Sequence, residues 1–530
     1  MKIYYFCPNE INLTHMNHIL TYILTFFISA VSTFAQNPEN NVNAKVEGLA
    51  CDETLSQSLT GICATTADGK KIVDINSEKM LVPASNMKLI STGAALHHLG
   101  PDFQYETRLA YDGEISNGTL QGNLYIIGGG DPTTGSKDSI ATAIETTFGQ
   151  WEAIIRSASI KKIEGYIIGD GRSFEGMPEE STWLWNDIGT YYGTGVTGLM
   201  FYENTQSFSV SAGSEVGAPV NISPYYPEAP WMTIRHECTT GKTGSGDQLY
   251  MYTSEFAPVA VIRGTFGVDR AAKRLDCANK FPEYTCAYHF CNYLNKSGIE
   301  CTKGASDFRL STEWMTEQTG SSICSDSLKY LGSTFSPTLD RIVYETNHAS
   351  NNLFAETLFR TLGKEMHSSA CYDSSYVAIG DVMKSLKINT GKGAQIQDGS
   401  GLSRQNYISP DFLCRFLKAM MGSDSFDCFL KSLPSPGGNG TMQYNMKGQP
   451  VSVRNRIKVK SGSMNGVRCY SGYILPKEFN SYPDIPFSDL PEEVKNKTII
   501  FSIMTNNCTS PTWKVRPLLD KIMVALAEGN

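Results

Sequence analysis

The chain has 530 residues, of which 41% are apolar, 11% aromatic and 18% charged, which excludes a small single fold and a disordered or collagen-like polymer. Lys plus Arg number 45 against 53 Asp plus Glu, a net charge of −8, and no Lys/Arg cluster is present to track a phosphate backbone, so nucleic acid is excluded as a partner. At roughly 100 to 200 residues per domain, two to four domains are expected.

The first element is the apolar run 19–31, shorter than the roughly 20 residues of a membrane-spanning helix. Small residues up to Ala35 and polar sequence behind them predict a signal peptide over 1–35, cleaved near Ala35, and an exported, periplasmic protein. Lys2 is the only Lys or Arg ahead of the run, which makes Met16 the competing start and an uncleaved anchor the alternative. Of the 14 cysteines, Cys7 leaves with the leader; the remaining odd number is compatible with a few bridges and at least one free thiol.

Residues 62–75 read as a hairpin turning at Asp68-Gly69, a pair suited to a type I′ turn. Pro83 then opens a helix over 84–99, apolar on nearly every side and closed by Gly100. From Asp102 to Ile323 the texture changes to short strands, Gly/Pro/Asn turns and aromatic-rich loops, the texture of inserted material. Helices return over 339–346, 351–362 and 410–421, the last with Ser409 as N-cap. Strands over 456–460, 469–475 and 498–505 and a helix over 513–527 complete the chain. The expected fold is mixed α/β (α+β), an antiparallel sheet flanked by helices. It is assembled from 36–101 and 321–530 and interrupted at 102–320 by a large β-rich insertion of two nested domains.

Three short motifs carry chemistry. Ser85 and Lys88 lie one helical turn apart on one face, at the positive end of a buried helix. A lysine activates a serine only when its amine is kept uncharged; otherwise the pair is an N-cap and a solvated lysine, and a second Ser-x-x-Lys stands at Ser159 to Lys162. Ser350-Asn351-Asn352 falls at a junction between two helices, where it is equally a capping turn. Lys460-Ser461-Gly462 ends an alternating strand run. Lys242-Thr243-Gly244 and Lys296-Ser297-Gly298 lack that strand context, and His236 stands where a Walker phosphate loop needs glycine. The spacing of Cys286, His289 and Cys291 fits no common zinc pattern, and Gly128-Gly129-Gly130 reads as a structural turn, so neither a metal nor another cofactor is expected.

The order of the three motifs resembles that of the active-site serine penicillin-recognising enzymes. Longer runs are similar to the class C low-molecular-mass penicillin-binding proteins, the D-alanyl-D-alanine carboxypeptidase/endopeptidase family: 124–132, 185–192, 350–356, 398–404 and 460–467. Asn351 departs from that family's usual Asp and Ser461 from its usual Thr. The resemblance implies a serine peptidase acting on peptidoglycan stem peptides with D-Ala-D-Ala termini or D-Ala-diaminopimelate cross-links, inhibited by β-lactams. It also assigns roles. Ser85 is the nucleophile, Lys88 its base, and the N–H groups of Ser85 and Ser463 the oxyanion donors; Ser350 relays a proton and Asn352 holds the substrate backbone. Lys460, Ser461 and Gly462 bind the terminal carboxylate, with Lys460 helping to keep Lys88 neutral, while Arg404 and Asp170 bind the side chain of the third stem residue. A β-lactamase or esterase on the same scaffold, or a wall-binding protein without turnover, are the alternatives.

Overall fold

The computed structural model describes residues 38–310, 328–482 and 485–529; the predicted leader and its cleavage point lie outside them. Strands β1 (Leu59–Thr66) and β2 (Lys71–Ile75) form the predicted hairpin, with Ile62 paired to Ile75. The turn is not type I′: among its non-glycine residues none has positive φ, and Gly69 alone does, at 101°. The Thr66 hydroxyl instead accepts the Lys70 N–H at 3.0 Å, a side-chain bond that closes a longer loop.

A five-stranded antiparallel sheet is the frame. Its order is β2-β1-β10-β9-β8, where β8 is Ile457–Met464, β9 Val467–Ile474 and β10 Ile499–Asn506. Period-two alternation sends successive residues to opposite cores. Ile62, Ala64, Phe501 and Ile503 pack with helices α1 (Pro38–Ala50) and α10 (Thr512–Glu528), whereas Cys63, Ile500 and Met504 pack on the other face. That second core is filled by α2 (Met87–Leu99), α5 (Leu339–His348), α6 (Asn352–His367), α7 (Tyr372–Ser385) and α8 (Pro410–Met420). Ser409 caps α8 by accepting the Phe412 N–H at 3.1 Å.

The intervening segment builds its own sheets. β3 (Glu106–Tyr111), β4 (Leu124–Ile127), β5 (Ile167–Asp170), β6 (Ala305–Asp307) and β7 (Lys329–Phe335) align as β6-β5-β4-β3-β7. β7 pairs with β3 and ends at Phe335, and the helices that pack on the first sheet follow from Leu339. Two helices here, α3 (Ile144–Ser157) and α4 (Pro282–Lys296), run through what reads from sequence mainly as strands and loops, and they pack Trp151 and Phe290 into a separate core. A four-stranded sheet (Glu114–Ser116, Thr119–Gln121, Lys162–Ile163 and Glu300–Cys301) and two three-stranded sheets, around Thr205–Ser211 and Ala257–Gly267, also belong to it. No described helix is long and apolar enough to cross a membrane. The twelve described cysteines are all free thiols.

Candidate active site

Ser85 sits in a single 3₁₀ turn, Ala84–Asn86, immediately ahead of α2. The turn is tight: Ala84 has φ of 47°, and the Asn86 N–H reaches back to the Pro83 carbonyl at 3.2 Å. Two glycines allow other backbone to close on it. A Cβ at Gly462 would lie 2.6 Å from the Pro83 carbonyl oxygen, and one at Gly401, whose φ is 84°, only 1.9 Å from that of Ala84. Gly462 thus brings strand β8 against the serine turn, and Gly401 does the same for loop 398–404. The Lys460-Ser461-Gly462 motif does not end its strand, which runs on to Met464 as the sheet's edge. An edge strand offers unpaired N–H and C=O groups to an extended peptide.

Lys88 is fully buried, and burial pulls its amine down to about 7. Its Nζ lies 2.6 Å from Asn352 Oδ1, 2.7 Å from the Ser400 carbonyl and 3.1 Å from Ser85 Oγ. A neutral amine has two hydrogens and one lone pair. In that form the two acceptors can take the hydrogens and leave the lone pair for the Ser85 hydroxyl, the arrangement a general base requires.

Lys460 Nζ donates to Ser350 Oγ at 3.0 Å and to the Ser461 carbonyl at 2.8 Å. Burial, and then the charge of Lys88, hold it well below the ordinary lysine range. Burial thus disfavours the charge on both amines, and because repulsion between two ammonium groups is mutual, a proton on either lysine disfavours one on the other. Ser350, with φ of 59°, occupies the junction between α5 and α6. Asn351 caps α6 by accepting the Phe354 N–H at 3.2 Å, and its Nδ2 donates to Glu203 at 2.9 Å. An Asp here would set two carboxylates together, so Asn351 suits this chain's own wall. Asn352 is not free to serve substrate alone: Oδ1 takes Lys88, and one N–H goes to the Tyr192 carbonyl at 2.9 Å.

A cleft of about 1060 Å³ opens over these groups, lined by Ser85, Ser350, Asn352, Ser461, Gly462, Ser463 and Arg404. Asp170 does not line it. That carboxylate is buried at the end of β5 in a bidentate pair with Arg172 at 2.8 and 2.9 Å, so it has no free oxygen to offer Arg404 or a substrate. Asp187 stands in the cleft instead, with Tyr192 OH donating to it at 3.2 Å; burial pushes its pKa above the usual carboxylate range, and the Tyr192 hydrogen bond and then the Arg404 charge oppose that shift. Asp187 lies inside a run, 185–192, whose residues are legible as a motif but carry no sign of which one faces the cleft.

Two further carboxylates escape sequence reasoning. Glu356, on α6, accepts the N–H groups of Gly399 at 3.1 Å and Ser400 at 2.8 Å. Asp398 accepts those of Gly401 at 2.7 Å and Ser403 at 2.6 Å, together with Trp183 Nε1 at 2.9 Å. They moor the loop that delivers the Ser400 carbonyl to Lys88. The competing motifs fall elsewhere: Lys162 pairs with Glu300 at 3.6 Å, and Gly298, with φ of 89°, follows the end of α4. Cys286 and Cys291 are core residues of the insertion, and among the described residues no cluster of His, Cys, Asp or Glu has the makings of a metal site.

The sequence pattern of the D-Ala-D-Ala carboxypeptidase 3 (S13) family matches residues 42–526. A D-alanyl-D-alanine carboxypeptidase of Actinomadura sp. (strain R39) is 24% identical over 497 residues, 91% of this chain and 84% of the relative. The D-alanyl-D-alanine carboxypeptidase DacB of Haemophilus influenzae is 22% identical, over 76% of this chain and 79% of the relative. Among solved structures, penicillin binding protein 4 (dacB) from Haemophilus influenzae superposes with a TM-score of 0.74 at 21% identity, covering 91% of this chain and 98% of its own.

Proposed function

The chain belongs to the D-Ala-D-Ala carboxypeptidase 3 (S13) family of serine peptidases, and from that premise we propose that its reaction runs through an acyl-enzyme on Ser85. The observation that carries this reading is the buried Lys88 amine 3.1 Å from Ser85 Oγ, with Asn352 Oδ1 and the Ser400 carbonyl placed to accept its two hydrogens when it is neutral. Lys88 takes the hydroxyl proton as Ser85 Oγ attacks the carbonyl carbon of the penultimate D-Ala. The N–H groups of Ser85 and Ser463 receive the oxyanion. As the intermediate collapses, the C–N bond breaks, and the proton that Lys88 took is relayed through Ser350, bonded to Lys460, to the leaving amine. Water then releases the acyl group. A terminal carboxylate arriving at Ser461 favours the charged form of Lys460, against the burial that disfavours it, and Lys460 supplies the counter-charge. β-Lactams occupy the same site, and the protein works outside the cytoplasm after removal of its leader.

Labelling with a fluorescent penicillin tests the site. The adduct is expected on the peptide containing Ser85 and is expected to vanish in Ser85→Ala; an adduct at Ser159 overturns the assignment.

For the stem peptide's third residue the reading departs from the sequence expectation in one member. Arg404 keeps the carboxylate of meso-diaminopimelate, but Asp187 rather than Asp170 meets its ammonium, since both line the cleft and feel each other's charge. Asp187→Asn and Arg404→Ala should each lower kcat/KM for a diaminopimelate peptide at least tenfold relative to penicillin acylation. Equal loss on both substrates would reduce the pair to structural support.

A further inference from the structure

Ser461 pairs with Tyr470 and Ser463 with Arg468 across β8 and β9, and paired residues share a face of the sheet. Ile457 and Val459, at the same alternation as Ser461, belong to the core beneath α10, so this is the α10 face. The side chain of Ser461 therefore points toward the C-terminal helix, where its hydroxyl donates to Thr441 at 3.0 Å. The cleft follows it: beyond Ser461 the lining continues with Thr441, Asn445, Tyr470 and Arg516. It then adjoins a second hollow of about 870 Å³ between the β8–β9 turn and residues 507–515, sharing Arg468 and Thr512 with the first.

The polar groups of this annex are unequally occupied. Asn445 donates to Tyr470 OH at 2.9 Å and to Asp520 at 2.7 Å, and Asp520 also accepts the Met446 N–H at 3.3 Å. Arg468 donates to the carbonyls of Met464 at 2.9 Å and Val467 at 2.7 Å, and to the Thr512 hydroxyl. Arg516, half-buried on α10, makes no hydrogen bond or ion pair with any described residue. Asp520, one turn further along the helix, feels its charge but is already held by Asn445. The carboxylates lining the main cleft, Asp187 and Glu203, both come from the inserted segment, and none lines the second hollow.

We propose that Arg516, supported by Arg468, is a second carboxylate subsite on the leaving-group side of the cleft, fitted to a leaving group that is itself a peptide. The assignment deepens the function proposed above and rests on it, taking Ser85 as nucleophile and Ser461 as the seat of the carboxylate next to the leaving amine. A single amino acid ends at Ser461. A leaving peptide released from a cross-link continues past it across the α10 face and carries a further C-terminal carboxylate. A guanidinium fork with no hydrogen-bond or ion-pair partner among the described residues is the complement of that group. The subsite thus favours endopeptidase action on cross-links over trimming of a terminal D-Ala.

The test compares kcat/KM for a D-Ala-diaminopimelate cross-linked dimer and for a D-Ala-D-Ala pentapeptide, both normalised to sites titrated by penicillin. Arg516→Ala should lower the dimer-to-pentapeptide ratio at least tenfold, and Arg516→Lys should recover part of it. Amidating the dimer's distal carboxylate should produce the same loss in the parent and no further loss in Arg516→Ala. A ratio within twofold of the parent, or an amidated dimer cleaved as well as the free acid, overturns the subsite. A parent protein that takes no penicillin at Ser85 would instead overturn the underlying reaction.

Discussion

Lys88→Ala should slow acylation by penicillin and by peptide about a thousandfold or more, because the serine hydroxyl loses the amine that stands 3.1 Å from it as its base. The parent's pH profile should carry the same signature. Burial sets the amine at about 7, so at lower pH a proton occupies the lone pair and the base is lost. The acylation rate should fall about tenfold per pH unit below that value and level off above it. The limb must descend toward acid, since the active form is the deprotonated one. Stopped-flow acylation between pH 5 and 9 reads this directly. A flat profile, or a Lys88→Ala protein acylating within tenfold of the parent, would remove Lys88 as the base. Lys88→Ala that still melts cooperatively separates this outcome from misfolding.

Glu356→Ala should be the most damaging change outside the residues that touch substrate. It leaves the N–H groups of Gly399 and Ser400 buried without acceptors, at about 1 to 3 kcal/mol each, and adds the cavity left by the side chain. Several kcal/mol of stability should go, together with acylation, since the Ser400 carbonyl is no longer held against Lys88. The parent also carries a pH dependence at this residue. Burial, and then the charge of Asp398, push Glu356 up to about 8. Between the usual carboxylate range and that value the folded protein holds a proton that the unfolded chain has released. Stability from this group is therefore complete below about pH 4 and is lost as pH rises through about 8. Glu356→Gln, which cannot ionise, should flatten that decline, measured as the parent-minus-variant difference in denaturant stability from pH 4 to 9. A variant difference independent of pH, or a Glu356→Ala protein as stable as the parent, would refute the assignment.

Arg404 illustrates where sequence reasoning ran short. Its position in the cleft is legible because it closes the run 398–404, but its partner is not. Asp170 lies in a plausible local motif, and Arg172, two residues on, takes both of its oxygens. Nothing local distinguishes Asp187, whose place depends on the insertion folding back over the first sheet. Helices α3 and α7 were hard to see for a related reason: no side-chain cap begins α3, and a cysteine caps α7, so neither carries the usual start signal.

By itself the sequence determined the local devices. Ser85 and Lys88 meet because they are one helical turn apart, Ser409 caps its helix three residues ahead, and strands β1, β2, β8, β9 and β10 show the residue types of a buried sheet. Each depends on neighbours within a few residues, where backbone geometry leaves little choice. Only the tertiary structure decided how far the Lys88 amine is pulled below the ordinary lysine range and which groups surround it. Those follow from burial and from acceptors at Asn352 and Ser400, 264 and 312 residues away in the chain. It also decided that Glu356 and Asp398 hold one loop and that Arg516 opens onto the face of Ser461. Desolvation and the pairing of charges depend on everything that surrounds a group, and that surrounding exists only once distant segments have packed.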